Sequence, residues 1–228
     1  MASLREKIAS GQPVIGTFIK TPAYQIVELL ALSELDFLVA DAEHAPIDLR
    51  DLDSMALAAR CGEMPLGIRP RKSTMDYISP AMDVGCSFVL APHVKTREDA
   101  TDVVASVRFS GRRRGFSPST RAANYGSMAP AAYKQITEDD TVVMVQIEDA
   151  EALESIDSIA AVPGVDVLFV GPADLGESLG CGPNDVGVKD AINKVVEAAE
   201  RAGKVAGLFV PRSEAIASWL DAGVSVFV

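Results

Sequence analysis

The sequence predicts a closed (β/α)8 barrel, a TIM barrel, built as one domain over residues 1–228, and three observations carry that reading. Eight short apolar runs alternate with stretches of helical periodicity, roughly every 20–35 residues. Alternation of this kind gives parallel strands joined by covering helices. The first strand-to-helix turn, GTFIKTPAY, also lacks the glycine fingerprint of an open dinucleotide-binding sheet, the runner-up architecture.

Taken in order, residues 4–10 form a short amphipathic helix stopped by Gly11. Strand one is PVIGTFIK, Pro13–Lys20, and Pro22 opens the helix AYQIVELLALSEL. Strand two, Asp36–Asp41, runs into a polar tip containing Glu43 and His44. Asp48 caps LRDLDSMALAARC, and Gly62 ends it. MPLGIRP is strand three, finishing at Arg69, and the helix after it carries Asp83 near its end. CSFVLAPHV is strand four, finishing near His93, and Thr96 caps the following helix.

The rhythm then breaks at Ser110–Gln135, a long stretch rich in Gly, Ser, Pro, Arg and aromatics, expected to be a lid, binding loop or interface. VVMVQIE is strand five, AEALESIDSIAAV a helix stopped by Pro163-Gly164, and VDVLFVGPAD strand six. A helix over 185–203, strand KVAGLFVP, helix SEAIASWLDAG and strand GVSVFV complete the chain. The eighth helix is missing from the sequence; its face is expected to be finished by further chain or by a partner subunit.

The totals exclude several functions. A net charge of −11 argues against nucleic acid and anionic membrane as partners. No apolar run approaches a membrane span, and the N-terminus has no signal-peptide pattern. Three cysteines without CxxC spacing read as free thiols in a reducing cytoplasm. Phosphate-cradling glycine loops are absent, which argues against phosphoryl transfer.

Chemistry in a barrel sits where the strands end. Those ends present Lys20; Asp41, Glu43 and His44; Arg69; His93; Gln146 and Glu148; Asp174; and Phe209. Glu148 and Asp174 end neighbouring parallel strands, so two acids share one edge, and a divalent metal between them would relieve their repulsion. The alternative is that each merely caps the helix after it. His44, beside acids, is a candidate base, with a structural hydrogen-bonded role as its alternative, and His93 stands evenly between the two. Arg69 ends an apolar strand and needs an anionic partner there, either a substrate oxyanion or Asp41 or Glu43. A metal, a His and an Arg suit enolisation of a 2-oxo acid: the ion would bind the carboxylate and keto oxygens while Arg69 holds the developing charge. A lysine Schiff base is less favoured, since strand ends five to seven carry no lysine.

The segments FLVADAEHAPIDLRDL, GIRPRK, AMDVGCSFVLAPHV, VQIEDAEALESIDSIAAVPGVDVLFVGPADLGESLG and AGLFV resemble, in order over nearly the whole chain, the HpcH/HpaI family of metal-dependent class II pyruvate aldolases. The resemblance implies that Glu148 and Asp174 bind Mg2+, Mn2+ or Co2+, and that His44 is the acid/base, supported by Asp83. It implies Arg69 at the enolate oxygen, Gln146 and the backbone N–H groups of Ala173 and Asp174 at the substrate, and Phe209 as an apolar wall of the acceptor site. The expected activity is reversible cleavage of a 4-hydroxy-2-oxo acid to pyruvate, or hydroxypyruvate, and an aldehyde, by an enzyme assembled as a homo-hexamer. Acceptor specificity is expected from the loop GRRRGFSPSTRAANYG. The alternatives are a citrate-lyase-type enzyme using Arg112, Arg113, Arg114 and Arg121 to hold an acyl-CoA, and a non-catalytic barrel that binds a 2-oxo acid.

Overall fold

The computed structural model describes residues 2–228, and the strands close into the parallel barrel β1-β2-β3-β4-β5-β6-β7-β8. The strands are β1 (Val14–Ile19), β2 (Phe37–Asp41), β3 (Leu66–Arg69), β4 (Phe88–Ala91), β5 (Val142–Ile147), β6 (Val167–Val170), β7 (Val205–Leu208) and β8 (Val224–Phe227). Closure is made by pairing Val14 with Val226 and Ile15 with Phe227.

Two apolar layers hold this shape. The larger joins the outer faces of the strands to the helices, with Leu38, Ile68, Val89, Val143, Leu168 and Leu208 fully or almost fully buried. The smaller fills the barrel and contains Phe37, Val39, Phe88, Leu90, Met144 and Phe169. Three of its phenylalanines lie in register against a glycine of the adjacent strand: Phe37 beside Gly16, Phe88 beside Gly67, and Phe169 beside Gly207. A Cβ at Gly16 would stand 2.5 Å from the Phe37 ring and one at Gly207 2.6 Å from Phe169; at Gly67 it would collide with Phe88. The glycines are therefore space for aromatic rings, which fill a barrel too narrow for a large side chain on every strand.

Helix α1 (Leu4–Ala9) closes the lower mouth, where the strands begin, by inserting Leu4 and Ile8 into the interior cluster. Helix α2 (Tyr24–Leu30) is shorter than the periodicity suggests, stopping at Ala31 before the turn into β2. Helix α3 (Leu49–Cys61) carries the expected Asp48 capping box and ends at Gly62. Helix α4 (Met75–Asp83) follows, and α5 (Arg97–Val107) has the capping box of Thr96 with Asp99.

The segment expected to be an unstructured loop over 110–135 is partly ordered. It contains a 3-10 turn at Arg121–Gly126 and runs into α6 (Pro130–Asp140). It also joins the end of a helix to the start of β5, so it lies at the lower mouth, away from the strand ends. The helix expected over 150–162 breaks at Ser155 into α7 (Ala150–Glu154) and α8 (Ile156–Ala160). Helix α9 (Pro172–Leu179) begins directly after β6, so Asp174 belongs to its first turn and not to the strand. Helices α10 (Val186–Arg201) and α11 (Ile216–Asp221) cover the remaining wall.

Candidate active site

Each strand end contributes to one mouth. A cavity of about 540 Å3 is lined by Phe18, Lys20, His44, Arg69, Gln146, Phe169, Gly171, Pro172, Ala173, Asp174 and Phe209. Six of the eight site residues expected from the sequence (His44, Arg69, Gln146, Ala173, Asp174 and Phe209) thus share one space of the size that takes a small substrate.

Arg69 is held by what lies beneath it. Its Nε and Nη2 donate to the two carboxylate oxygens of Asp41 at 3.0 and 2.7 Å, its guanidinium carbon lies 4.2 Å from the centroid of the Phe18 ring, and Nε stands 3.4 Å from Glu43 Oε2. The ion pair that was the alternative reading of Arg69 is therefore present, and it also aims the side chain. With Nε and Nη2 committed, Nη1 has no hydrogen-bond partner among the described residues and is available to a substrate oxygen. Asp41 is fully buried. Burial alone would raise its pKa, but the Arg69 hydrogen bonds and charge, the backbone N–H of His44 and the charge of Lys20 together hold it below the ordinary carboxylate value.

Glu148 ends β5 and is buried, and it accepts from the Gln146 amide and from the backbone N–H of His93, the latter at 2.9 Å. Gly171 leaves room for this pair: a Cβ there would lie 2.8 Å from Gln146 Nε2 and 2.9 Å from Glu148 Oε2. Burial, with the negative charges of Glu43 and Asp174 added, pushes Glu148 up to about 7 against the opposing pull of His93. Glu43, Glu148 and His93 offer ligand atoms that all lie within 4.8 Å of one another. Glu43 Oε2 and Gln146 Oε1 are buried with no hydrogen-bond partner. Crowded carboxylates with an unsatisfied oxygen are the donor set a divalent cation completes, so the residues fit a metal.

His44 lies on the rim, half-exposed, with Nε2 3.6 Å from Glu43 Oε2. The carboxylate beside it is Glu43 and not Asp83. Because α4 runs back down the barrel wall, its last residue, Asp83, arrives at the lower mouth, where it pairs with Arg114 at 2.6 Å. Within this chain Asp83 does not support His44. Arg114 is buried and also donates to the Val107 carbonyl and the Tyr133 hydroxyl; Arg113 pairs with Asp102 and Arg121 with Asp53. Three of the four arginines of the acyl-CoA alternative are thus paired at the end of the barrel opposite the cavity, which disfavours that reading and counts against their loop shaping the acceptor site of its own chain.

Sequence reasoning named Asp41 only as one alternative partner of Arg69 and did not foresee the Glu43–His93 contact. The signal available for Asp41 was an acid closing an entirely apolar strand, FLVAD, a position that demands a cationic partner.

A family model described as HpcH/HpaI aldolase/citrate lyase matches residues 15–225. The chain belongs to this family. It is 34% identical over 228 residues to a hydroxypyruvate/pyruvate aldolase of Paraburkholderia phytofirmans, covering 98% of this chain and 84% of that one. It is 35% identical over 204 residues to a 2-keto-3-deoxy-L-rhamnonate aldolase of Klebsiella pneumoniae, covering 86% and 74%. A crystal structure of a family member from Burkholderia cenocepacia superposes with a TM-score of 0.91 at 30% identity, covering 99% of this chain and 91% of the other. Among the described residues, no helix is long and apolar enough to cross a membrane.

Proposed function

We propose that this enzyme, a carbon–carbon lyase of the class II aldolase type, reversibly cleaves 4-hydroxy-2-oxo acids to an aldehyde and pyruvate, or hydroxypyruvate. The observation that carries the reading is the single mouth in which Arg69, Gln146, His44, Phe209 and the α9 N-terminus face a cluster of Glu43, His93 and Glu148. The names of the relatives support the substrate class.

Glu148 and Asp174, with Glu43 beside them, would hold a divalent ion such as Mg2+, Mn2+ or Co2+. Such an ion, when bound, supplies Lewis acidity toward the oxygens of a 2-oxo acid. The first turn of α9 has no side-chain cap, so the N–H groups of Ala173 and Asp174 are open to the substrate carboxylate. His44 takes the proton from the C4 hydroxyl as the C3–C4 bond breaks. The electron pair of that bond passes to the pyruvyl fragment as its enolate, and Arg69 Nη1 faces the developing oxyanion. Asp41 contributes by fixing the guanidinium, so little reorganisation is needed when charge appears. Proton return to C3 completes pyruvate. Phe209 walls the side from which the aldehyde departs.

Exposed apolar side chains on consecutive helices (Tyr24, Leu29 and Leu32 near α2, Leu49 and Leu57 on α3, Tyr77 on α4) support assembly of several copies, and a hexamer is the expected form. The three free cysteines accord with a cytoplasmic location.

The test needs no knowledge of the aldehyde: exchange of solvent deuterium into the methyl group of pyruvate, followed by NMR. Exchange abolished by chelator and restored by Mg2+, Mn2+ or Co2+ is expected. Absence of exchange from pyruvate and hydroxypyruvate alike, in folded and metal-loaded protein, would refute the proposal.

A further inference from the structure

Lys20, directly after β1, carries a positive charge that the folded chain does not use. Residues two apart on a strand share a face, so Lys20 follows Phe18 into the mouth, while Ile19 between them packs outward against the helices. Its Nζ lies 3.5 Å from Asp41 Oδ2 and has no hydrogen-bond partner among the described residues. Asp41 is satisfied without it: Oδ1 accepts from Arg69 Nε and from the His44 N–H, and Oδ2 accepts from Arg69 Nη2. The donors of the ammonium group are therefore left to a ligand in the cavity.

Its place in the ring indicates which part of the ligand. The N-terminus of α9, which takes the donor carboxylate, follows β6, three strands round the barrel from β1. On the near side, the Phe18 ring packs against Arg69 and against Phe209, with 6.1 Å between the two ring centroids. Lys20 thus stands beside the aromatic wall given above to the aldehyde. Among the described residues that line the cavity Asp174 alone is acidic, and it belongs to the metal end. Lys20 Nζ and Arg69 Nη2 approach the same oxygen, Asp41 Oδ2, so the ammonium stands next to the guanidinium that faces the reacting oxygens.

We propose that Lys20 is a specificity-determining residue that selects a short anionic aldehyde, one whose carboxylate lies one or two bonds from the aldehyde carbon. A group held by Lys20 beside Arg69 is close to the carbon being bonded, which sets the short reach. An ammonium meeting a carboxylate in a cavity makes a charge-assisted hydrogen bond, stronger than a neutral one. The inference rests on the aldolase reading above and adds the charge and length of the acceptor. The competing account is that Lys20 serves only to offset the charge of Asp41.

Calorimetry with 2-oxo acids that lack a 4-hydroxyl, and so cannot be cleaved, separates the two. In the Mg2+-loaded protein, 2-oxoglutarate or 2-oxoadipate should bind at least about tenfold more tightly than the uncharged acid of equal length, 2-oxopentanoate or 2-oxohexanoate. In Lys20→Met that preference should fall below about threefold. Equal affinities within each pair in the natural sequence, a preference that survives in Lys20→Met, or equal losses for charged and uncharged probes would overturn the Lys20 assignment and leave the aldolase reading standing. Failure of pyruvate and of all four probes to bind would overturn both.

Discussion

Replacing Arg69 by methionine removes the only partner that fully satisfies Asp41. The change keeps an apolar stem over Phe18 but takes away both hydrogen bonds, at 3.0 and 2.7 Å, from a carboxylate with no exposed surface. Breaking one side of a buried ion pair costs about 3–5 kcal/mol, because the remaining charge is left without compensation. Asp41 retains the His44 N–H at 3.2 Å and Lys20 at 3.5 Å, but the Lys20 side chain is more than half exposed and its charge is screened. The lower end, about 3 kcal/mol, is therefore expected, equivalent to a fall of about 6–12 °C in Tm for a domain of this size. The loss should depend on pH in a defined direction. In the natural protein the folded pKa of Asp41 is depressed, so its contribution is present above the unfolded value and lost as pH falls through the folded one. In Arg69→Met the buried carboxyl is raised instead, so it destabilises at high pH and is relieved by protonation. The gap between the two proteins should narrow on acidification from pH 8 toward pH 5. Urea unfolding monitored by circular dichroism at both pH values measures it. A gap below about 1 kcal/mol at pH 8, the range of an exposed pair, would refute the claim that this pair anchors the site.

Other consequences are testable together. Glu148→Gln should abolish measurable divalent-metal binding and with it the deuterium exchange into pyruvate; unchanged metal affinity by calorimetry would remove Glu148 from the ligand set. In metal-free protein, the pKa of Glu148, raised to about 7 by burial, means the folded state holds a proton that the unfolded chain has already lost, so stability should fall as pH rises toward 7 and level off above it. Thermal melts in chelator would show this, and a rise over that interval attributable to Glu148, absent in Glu148→Gln, would contradict it. Gly67→Ala drives a methyl group into the Phe88 ring and should cost about 1–3 kcal/mol by overpacking; a neutral urea midpoint would show that the barrel interior has slack. Phe209→Ala should raise kcat/KM for bulky aldehydes relative to short ones by about tenfold, and an unchanged ratio would mean Phe209 does not wall the acceptor side.

The sequence by itself determined the alternation of eight strands with helices, the capping residues Asp48 and Thr96, and the roster of side chains at the strand ends. These are local properties, set by periodicity and by the few residue types that satisfy helix termini. Because parallel strands put all their C-terminal ends on one face, Arg69, Gln146, Glu148 and Phe209 could be assigned to one mouth without coordinates. The direction of α4, which carries Asp83 to the opposite end, follows from the same alternation, and a motif match read residue by residue does not weigh it. What only the tertiary structure decided is pairing across the ring. Residues from β2, β4 and β5 are far apart in sequence, and barrel closure together with the left-handed turn at His93 sets which acid meets which base. Asp41 is consumed by Arg69, while Glu43, two residues on, turns Oε1 toward His93 and leaves Oε2, on the side of His44 and Arg69, without a hydrogen bond. A difference of a few ångströms separates a structural carboxylate from a ligand, because ion pairing and metal binding both decay over that distance, and no local pattern encodes it.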